Sequence, residues 1–401
     1  MSSGRFIPSL ATLATAQAGL FLVLARIYLP RRDQRGRRVA LALLQALATL
    51  VFFAFLRASR AGVELDGPLR FAVEPVLVFV VLSLPLLVLV GVPLSLAQRL
   101  PQREPAPEPA EPLPPGPAEP RALSEPRRVF LVRAATGLLG GAAALSAFGI
   151  AEAERDPELT RRDIFLEDLP PAFDGLTILQ LSDLHTGALM TEARLLRIAR
   201  HAAALQADVV VLTGDLIDLS ERAAPGYTRA LRDLRGRLGT FAILGNHDYF
   251  ASARAVERAV RDAGQTFLRN TGARLERGAA SLWIGGVDDP SRDSPRGPSP
   301  RLALRGAAPE EKRIVLAHRP QLFEECARAG SDLVLSGHTH GGQVALSPAW
   351  SFARLLGPYT MGYYRKGKSQ LYVHRGMGTV GPAPLRLGSP PELALLTLRR
   401  S

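Results

Sequence analysis

One cysteine in 401 residues, Cys326, leaves no partner for a disulfide within the chain. It lies in an apparent helix, residues 321–329, where it reads as a small core residue. Lysine is nearly as scarce. Only Lys312, Lys366 and Lys368 stand among 49 basic residues, so arginine carries the formal net charge of +12. No basic stripe interleaved with aromatics runs along a regular element, which argues against a nucleic-acid surface. No internal repeat is evident. Asp, Glu, Lys, Arg and His are missing altogether from four apolar stretches, residues 6–25, 39–56, 75–97 and 134–151. Each is long enough to cross a bilayer core of roughly 30 Å. Without ionisable groups they offer no pathway for ions or protons, and anchoring is the simpler role.

Arginines set the orientation expected of these spans. The short first loop, Arg31-Arg32-Asp33-Gln34-Arg35-Gly36-Arg37-Arg38, is strongly basic and stays in the cytoplasm. Loop 57–74 is mixed in charge and suits the outer side. Connection 98–133 returns to the cytoplasm; its centre, 101–120, is dense in Pro, Glu and Ala and reads as an extended linker. The fourth stretch then leads outward. Arg127-Arg128-Val129-Phe130-Leu131, ahead of a Gly/Ala-rich run, resembles a twin-arginine export signal, with Ala151-Glu152-Ala153 as a candidate cleavage site; the alternative is positive-inside flanking of an uncleaved anchor. The expected organisation is three transmembrane helices in 1–100, a Pro-rich cytoplasmic linker in 101–127, a fourth span in 128–153 and a catalytic domain in 154–401. That describes a multi-pass inner-membrane protein with its catalytic domain on the extracytoplasmic (periplasmic) side.

Of seven histidines, five fall in an ordered series of short motifs. These are Asp183-Leu184-His185, Gly214-Asp215-Leu216-Ile217-Asp218, Gly245-Asn246-His247-Asp248, His318, and Gly337-His338-Thr339-His340. Each follows an apolar run that reads as a buried strand: 176–182, 209–213, 241–244, 314–317 and 333–336. Carboxylates, one amide and imidazoles therefore converge at the carboxyl ends of strands, where open α/β sheets place their ligands. Imidazole with carboxylate suits Mn, Fe or Zn better than Ca or Mg.

Two cations about 3.5–4 Å apart can clamp a phosphate, activate a water and stabilise the leaving oxygen. Such a pair shares one bridging carboxylate, and Asp215, from the middle of the set, is the candidate. A first ion would take Asp183, His185, Asp215 and His340. A second would take Asp215, Asn246, His318 and His338. His247, beside a ligand, is left to protonate the leaving alkoxide or to hold a phosphate oxygen, with Asp218 orienting it.

Taken singly, Asp-x-His or Gly-Asp-x-x-Asp is an ordinary turn; all five elements in one order are not. Residues from about 161 to 399 resemble the calcineurin-like metallophosphoesterase superfamily, whose pattern is D-x-H, G-D-x-x-D, G-N-H-D, H and G-H-x-H. No ligand position is missing. The resemblance implies a dinuclear site on these residues with His247 as general acid. It implies an α/β fold, a β-sandwich of two mixed sheets packed face to face and flanked by helices, here preceded by an all-α transmembrane region of about four helices. Gly337-His338-Thr339-His340-Gly341-Gly342-Gln343 and Tyr372-Val373-His374-Arg375-Gly376-Met377-Gly378-Thr379 look most like a membrane-tethered branch. That branch includes transmembrane proteins with a metallophosphoesterase domain and relatives of UDP-2,3-diacylglucosamine pyrophosphohydrolase. The substrate so implied is a phosphate ester or anhydride, a phosphodiester or pyrophosphate of a lipid or nucleotide-linked glycolipid. A nucleotide-linked glycolipid of that kind belongs to the cytoplasm, whereas the arginines place the domain outside, where a phospholipid, an envelope phosphodiester or a nucleotide fits better.

Residues 350–368 combine Trp350, Tyr359, Tyr363 and Tyr364 with Arg365, Lys366 and Lys368. They read as a loop that roofs the pocket or dips into the membrane interface, with Arg365 a substrate contact. His374, at a strand end, is a second substrate contact, in a place where relatives often carry a small residue. His201, in a helix spanning 192–205, faces solvent or packs. Stretch 288–300 is an irregular loop with no assignable chemistry. The rival reading is a non-catalytic metal-binding or partner-binding module on a membrane anchor. Retention of Asp215, Asn246 and His247 argues against it, and no obligate protein partner is inferred.

Overall fold

The computed structural model describes Ala54 and residues 125–401, apart from 292, 346, 348, 349, 356 and 381–383. The first three expected spans (save Ala54, which is helical) and the linker through residue 124 lie outside the described residues. Two compact units divide the chain, and the larger contains residues 148–401.

Within that unit two six-stranded mixed sheets form. The first takes β1 (Glu158–Leu166), β2 (Thr177–Leu181), β3 (Val209–Thr213), β4 (Gly239–Ile243), β5 (Thr266–Phe267) and β12 (Glu392–Arg400), in the order β1-β12-β2-β3-β4-β5. The second takes β6 (Thr271–Arg277), β7 (Ala280–Gly286), β8 (Lys312–Leu316), β9 (Leu333–Ser336), β10 (Gly362–Lys366) and β11 (Ser369–Val373), in the order β10-β11-β9-β8-β7-β6. β2, β3 and β4 run parallel, as do β7, β8 and β9. Parallel strands are covered on both faces and read as unbroken apolar runs. Val209–Thr213, buried at every residue, is such a run.

The inner faces meet in one core, where Ile178, Val209, Val211 and Ile243 of the first sheet pack on Ile284, Ile314, Leu316 and Leu335 of the second. Helices α2 (Glu192–Ala203), α3 (Ala224–Leu231) and α5 (Ala253–Asp262) cover the outside of the first sheet, while α4 (Asn246–Ala251) opens directly from the β4 motif. Helix α2 shows how the sequence dictates this. Thr191 caps it by accepting the Arg194 N–H, and Leu195, Ile198, Ala199 and Ala202 recur at helical spacing on the buried face. Each buried Leu or Ile contributes about 2 kcal/mol over its exposed state. His201 is on the opposite, exposed face. The short helices α6 (Pro300–Ala303) and α7 (Phe323–Arg328) cover the second sheet, with Cys326 fully buried beside Phe323.

Helix α1 (Glu125–Glu154) contains the stretch expected to form the fourth span. No helix among the described residues is long and apolar enough to cross a membrane. The final turns, from Phe148, belong to the larger unit. Gly149 abuts Leu385, Ala153 is buried, and Arg194 donates to the Ala153 carbonyl (2.5 Å) and to Glu154 (2.8 Å). The Ala151-Glu152-Ala153 motif is helical, with Ala151 exposed and Ala153 buried. Residues 350–368 are also not a single loop. A turn at Phe352–Leu355 leads to the antiparallel pair β10–β11. Its basic side chains are paired, Lys366 with Glu324 (2.8 Å) and Lys368 with Glu167 (3.0 Å), while Trp350 stays exposed.

Candidate metal centre

Every motif residue stands at or just past the carboxyl end of β2, β3, β4, β8 or β9. Asp183, His185, Asp215, His338 and His340 have φ between 48° and 70°. The left-handed region is strained for residues other than glycine, and such conformations persist only where the surroundings fix them. Cross-strand bonds do so here: Asp183 N–H donates to Gly214 O (3.0 Å), His185 N–H to Asp215 O (2.9 Å) and Gly337 N–H to His318 O (3.0 Å). His338 N–H points into the Asp183 carboxylate at 2.9 and 3.1 Å.

The ligand-type atoms gather in overlapping groups: Asp183, His185 and His340; His185, Asp215 and His247; and Asp215, His318 and His338. Nε2 of His185 is 3.1 Å from Nε2 of His340 and 3.6 Å from Asp215 Oδ2. Nε2 of His340 is 3.3 Å from Asp183 Oδ1. On the other side of Asp215, its Oδ2 is 3.3 Å from His318 Nε2. Neighbouring ligands of one cation stand about 3 Å apart when metal–nitrogen bonds are ~2.0–2.1 Å. Among the candidate ligands, two buried atoms make no hydrogen bond, Asn246 Oδ1 and His318 Nε2. Buried polar atoms are seldom left so, and a second cation beside Asp215 would satisfy both. The residues present fit a dinuclear centre.

Outer contacts aim the rings. His318 Nδ1 donates to Thr213 O (2.8 Å), and His185 Nδ1 lies 3.2 Å from Asp218 Oδ1, leaving each Nε2 for a metal. His247 lies with its Nδ1 2.9 Å from the same Asp218 oxygen, and its N–H donates to Asp215 Oδ1 (2.8 Å). Asn246, His247 and His338 are half-buried while the other ligand residues are buried, so the cluster opens on the His247 side.

Electrostatics favour cation binding. Burial would raise Asp183 and Asp215, yet neighbouring imidazoles hold both well below the usual carboxylate range. Burial and nearby positive charge push His338 down to about 3. Burial likewise takes His340 down to about 4, against the opposing pull of Asp183. Both rings thus offer a lone pair at neutral pH. His318 goes the other way: burial lowers it, but the Asp215 charge, 3.3 Å from its Nε2, drives it up to about 10. A cation between His318 and Asp215 would take the place of that proton.

Two expectations are corrected. Arg365 is not at the cluster. It pairs with Gln370, which lies opposite Leu333 at the start of β9, whereas the ligands follow the end of that strand. Its guanidinium bonds to Gly367 O (3.0 Å) and stands 3.7 Å from Glu167. His374 is fully buried, with Nδ1 accepting the Gly376 N–H (2.9 Å), so it presents nothing to a substrate.

Two residues given no role from the sequence belong to the site. Asp248 accepts from Leu216, Ile217 and Gly245 N–H groups (2.9, 2.9 and 2.8 Å), tying the second and third motifs together. Burial and the Asp215 charge push it up to about 7. Its place in Gly-Asn-His-Asp was the available signal. Arg386, fully buried beside His340, had no such signal.

A family model for calcineurin-like phosphoesterases matches residues 176–342. The transmembrane protein with metallophosphoesterase domain of Danio rerio is 32% identical over 270 residues, covering 65% of this chain. The match spans 61% of that protein and 60% of its Bos taurus counterpart. An uncharacterized metallophosphoesterase of Bacillus subtilis is 32% identical over 60% of this chain and 85% of its own length. One from Aquifex aeolicus is 33% identical over 58% of this chain and 88% of its own length. On that coverage, and with every motif at a strand end of two packed sheets, the chain belongs to the calcineurin-like phosphoesterase family.

Proposed function

We propose that this chain is a membrane-anchored, dinuclear metal-dependent phosphoesterase that hydrolyses a phosphodiester or pyrophosphate bond. The observation that carries the reading is the shared Asp215 between two ligand groups, with Asn246 Oδ1 and His318 Nε2 buried and making no hydrogen bond. Two bound divalent ions (Mn, Fe or Zn) would supply Lewis acidity and an activated water. Asp183, His185, Asp215 and His340 would hold one, and Asp215, Asn246, His318 and His338 the other. His247, on the open side and fixed by Asp218, holds a proton where the leaving oxygen departs. The neutral Asn246 keeps that side open to an anionic phosphate.

A lipid or nucleotide-linked glycolipid substrate draws support from Phe250. Its side chain is exposed, and its ring centroid stands 5.2 Å from that of His247, on the leaving-group side. Anchoring draws support from the apolar stretches 6–25, 39–56 and 75–97 and from the names of the Danio rerio and Bos taurus relatives. The basic loop 31–38 favours an inner-membrane protein with its catalytic domain outside the cytoplasm.

Hydrolysis of bis-p-nitrophenyl phosphate and p-nitrophenyl phosphate by the full chain, stripped of metal and reloaded with Mn, tests the activity. Turnover that returns with Mn and favours the diester is expected. No turnover of either with two ions bound would favour the non-catalytic module. Alkaline phosphatase fused after Ser401 should be active if the catalytic domain lies outside, and inactive otherwise.

A further inference from the structure

Arg386 is wholly buried, and no carboxylate is among its hydrogen-bond acceptors. Nη1 donates to the carbonyls of Arg375 (3.0 Å) and Ser389 (2.7 Å), and Nη2 to that of Gly378 (2.5 Å). A buried cation is costly to hold in place, so what it braces matters.

Those carbonyls belong to segments wrapped around one half of the metal centre. Between Arg375 and Gly378 the chain passes over Asp183. Met377 N–H donates to Ser182 O (3.0 Å) and Gly378 N–H to Asp183 O (2.8 Å). A Cβ at Gly376 would come within 3.0 Å of Asp183 Cβ and 3.2 Å of His340 Nδ1. Ser389 Oγ donates to His340 O (2.9 Å). Nη2 of Arg386 itself comes within 3.4 Å of His340 Nδ1. That distance is at the limit for a hydrogen bond, so the carbonyls carry the anchoring.

The main chain of Arg386 is tied to helix α1. Its N–H donates to Gly149 O (3.0 Å). The approach is so close that a Cβ at Gly149 would overlap Leu385 Cδ1 and sit 3.3 Å from Arg386 O. One turn on, the Ala153 carbonyl accepts from Arg194 of α2, the helix that follows the His185 loop.

The geometry points to Arg386 as a positioning residue for the half-site of Asp183, His185 and His340, braced by the last turns of helix α1. This rests on the dinuclear reading of the centre. The end of α1 is then a working part of the catalytic unit. Displacing it loosens the first half-site, while His318, held by Thr213 O, and the turn that carries Asn246, held by Asp248, keep their own supports.

Mn binding to the full chain tests this, read by equilibrium dialysis and by the electron paramagnetic resonance of the coupled Mn pair. Arg386→Met and Gly149→Leu are compared with the unmodified chain, and thermal melting checks folding. The unmodified chain should bind two ions and show the coupled spectrum. In both variants one ion should bind at least about tenfold more weakly, as when an outer-shell partner is lost, and the spectrum should become that of an isolated ion. Two ions bound with unchanged affinity by folded Arg386→Met would overturn the inference. If that variant does not fold, the same result from Gly149→Leu overturns it. An unmodified chain that cannot bind two ions would overturn the dinuclear reading itself, and the inference with it.

Discussion

Asp218 Oδ1 lies 2.9 Å from Nδ1 of His247. The same oxygen lies 3.2 Å from Nδ1 of His185, so one carboxylate orients both a metal-ligand candidate and the candidate acid. Burial would raise Asp218, but hydrogen bonds from His185 and His247 hold it at about 2, and it stays ionised at neutral pH. If His247 protonates the leaving oxygen, its loss matters only when that oxygen needs a proton. His247→Gln should lower kcat about 100-fold for a diester with an alkyl leaving group. For p-nitrophenolate, which departs unprotonated, the loss should be only a few-fold. Equal losses on both substrates would remove His247 from the role.

Rate should also depend on pH through this ring. Burial lowers His247, but the Asp218 hydrogen bond and the Asp215 and Asp218 charges outweigh it, and the net shift is upward. An acid acts while protonated, so kcat/KM should fall as pH rises through a value above the ordinary ~6.5. Asp218→Asn removes a raising influence and should move that alkaline limb to lower pH. Rate–pH profiles of the two chains decide it, and a limb that does not move counts against the pairing.

Gly337 shows how tightly the backbones meet at the centre. A Cβ there would overlap Ser182 Oγ and Asp183 Oδ2, the latter belonging to a carboxylate that also accepts the His338 N–H. Gly337→Ala should push Asp183 off its position and weaken one Mn by at least about tenfold. Metal content after gel filtration would show the deficit; two ions retained per chain would contradict it.

The site was legible because its residues sit at the ends of short apolar runs, and such runs announce themselves. β3 and β9 have the bounds read from the sequence, and β2, β4 and β8 differ at their ends by one or two residues. What could not be read was pairing between distant segments. Arg365 looked close to the last motif along the chain, but the β10–β11 and β11–β9 registers carry it to the far end of the sheet. Arg386 meets His340 and Gly149 O only through tertiary packing, which no local pattern encodes. Loop 288–300 has no pattern that signals chemistry, yet Asp288 bonds Tyr249 and Arg269, and Asp289 holds Arg319 beside His318. Buried ion pairs of this kind leave no periodicity to find.

Stability should carry a separate acid signature from Glu311, far in sequence from any metal motif. Its carboxylate accepts from Arg274 Nε (2.5 Å), Ser281 Oγ (2.6 Å) and Ala308 N–H (2.7 Å). Burial would raise it, but these bonds bring it to about 2. The unfolded chain would titrate near ~4.3. Because the folded value is the lower one, the stabilisation is complete above ~4.3 and is lost as pH falls toward 2. Glu311→Gln should cost about 1–2 kcal/mol at pH 7, a drop of roughly 2–6 °C in Tm for a domain of this size. Near pH 3 the gap between the two chains should narrow, because protonation disarms the native carboxylate as the substitution does. Thermal melts from pH 3 to 7 measure this, and parallel Tm curves would show that Glu311 does not contribute to acid lability.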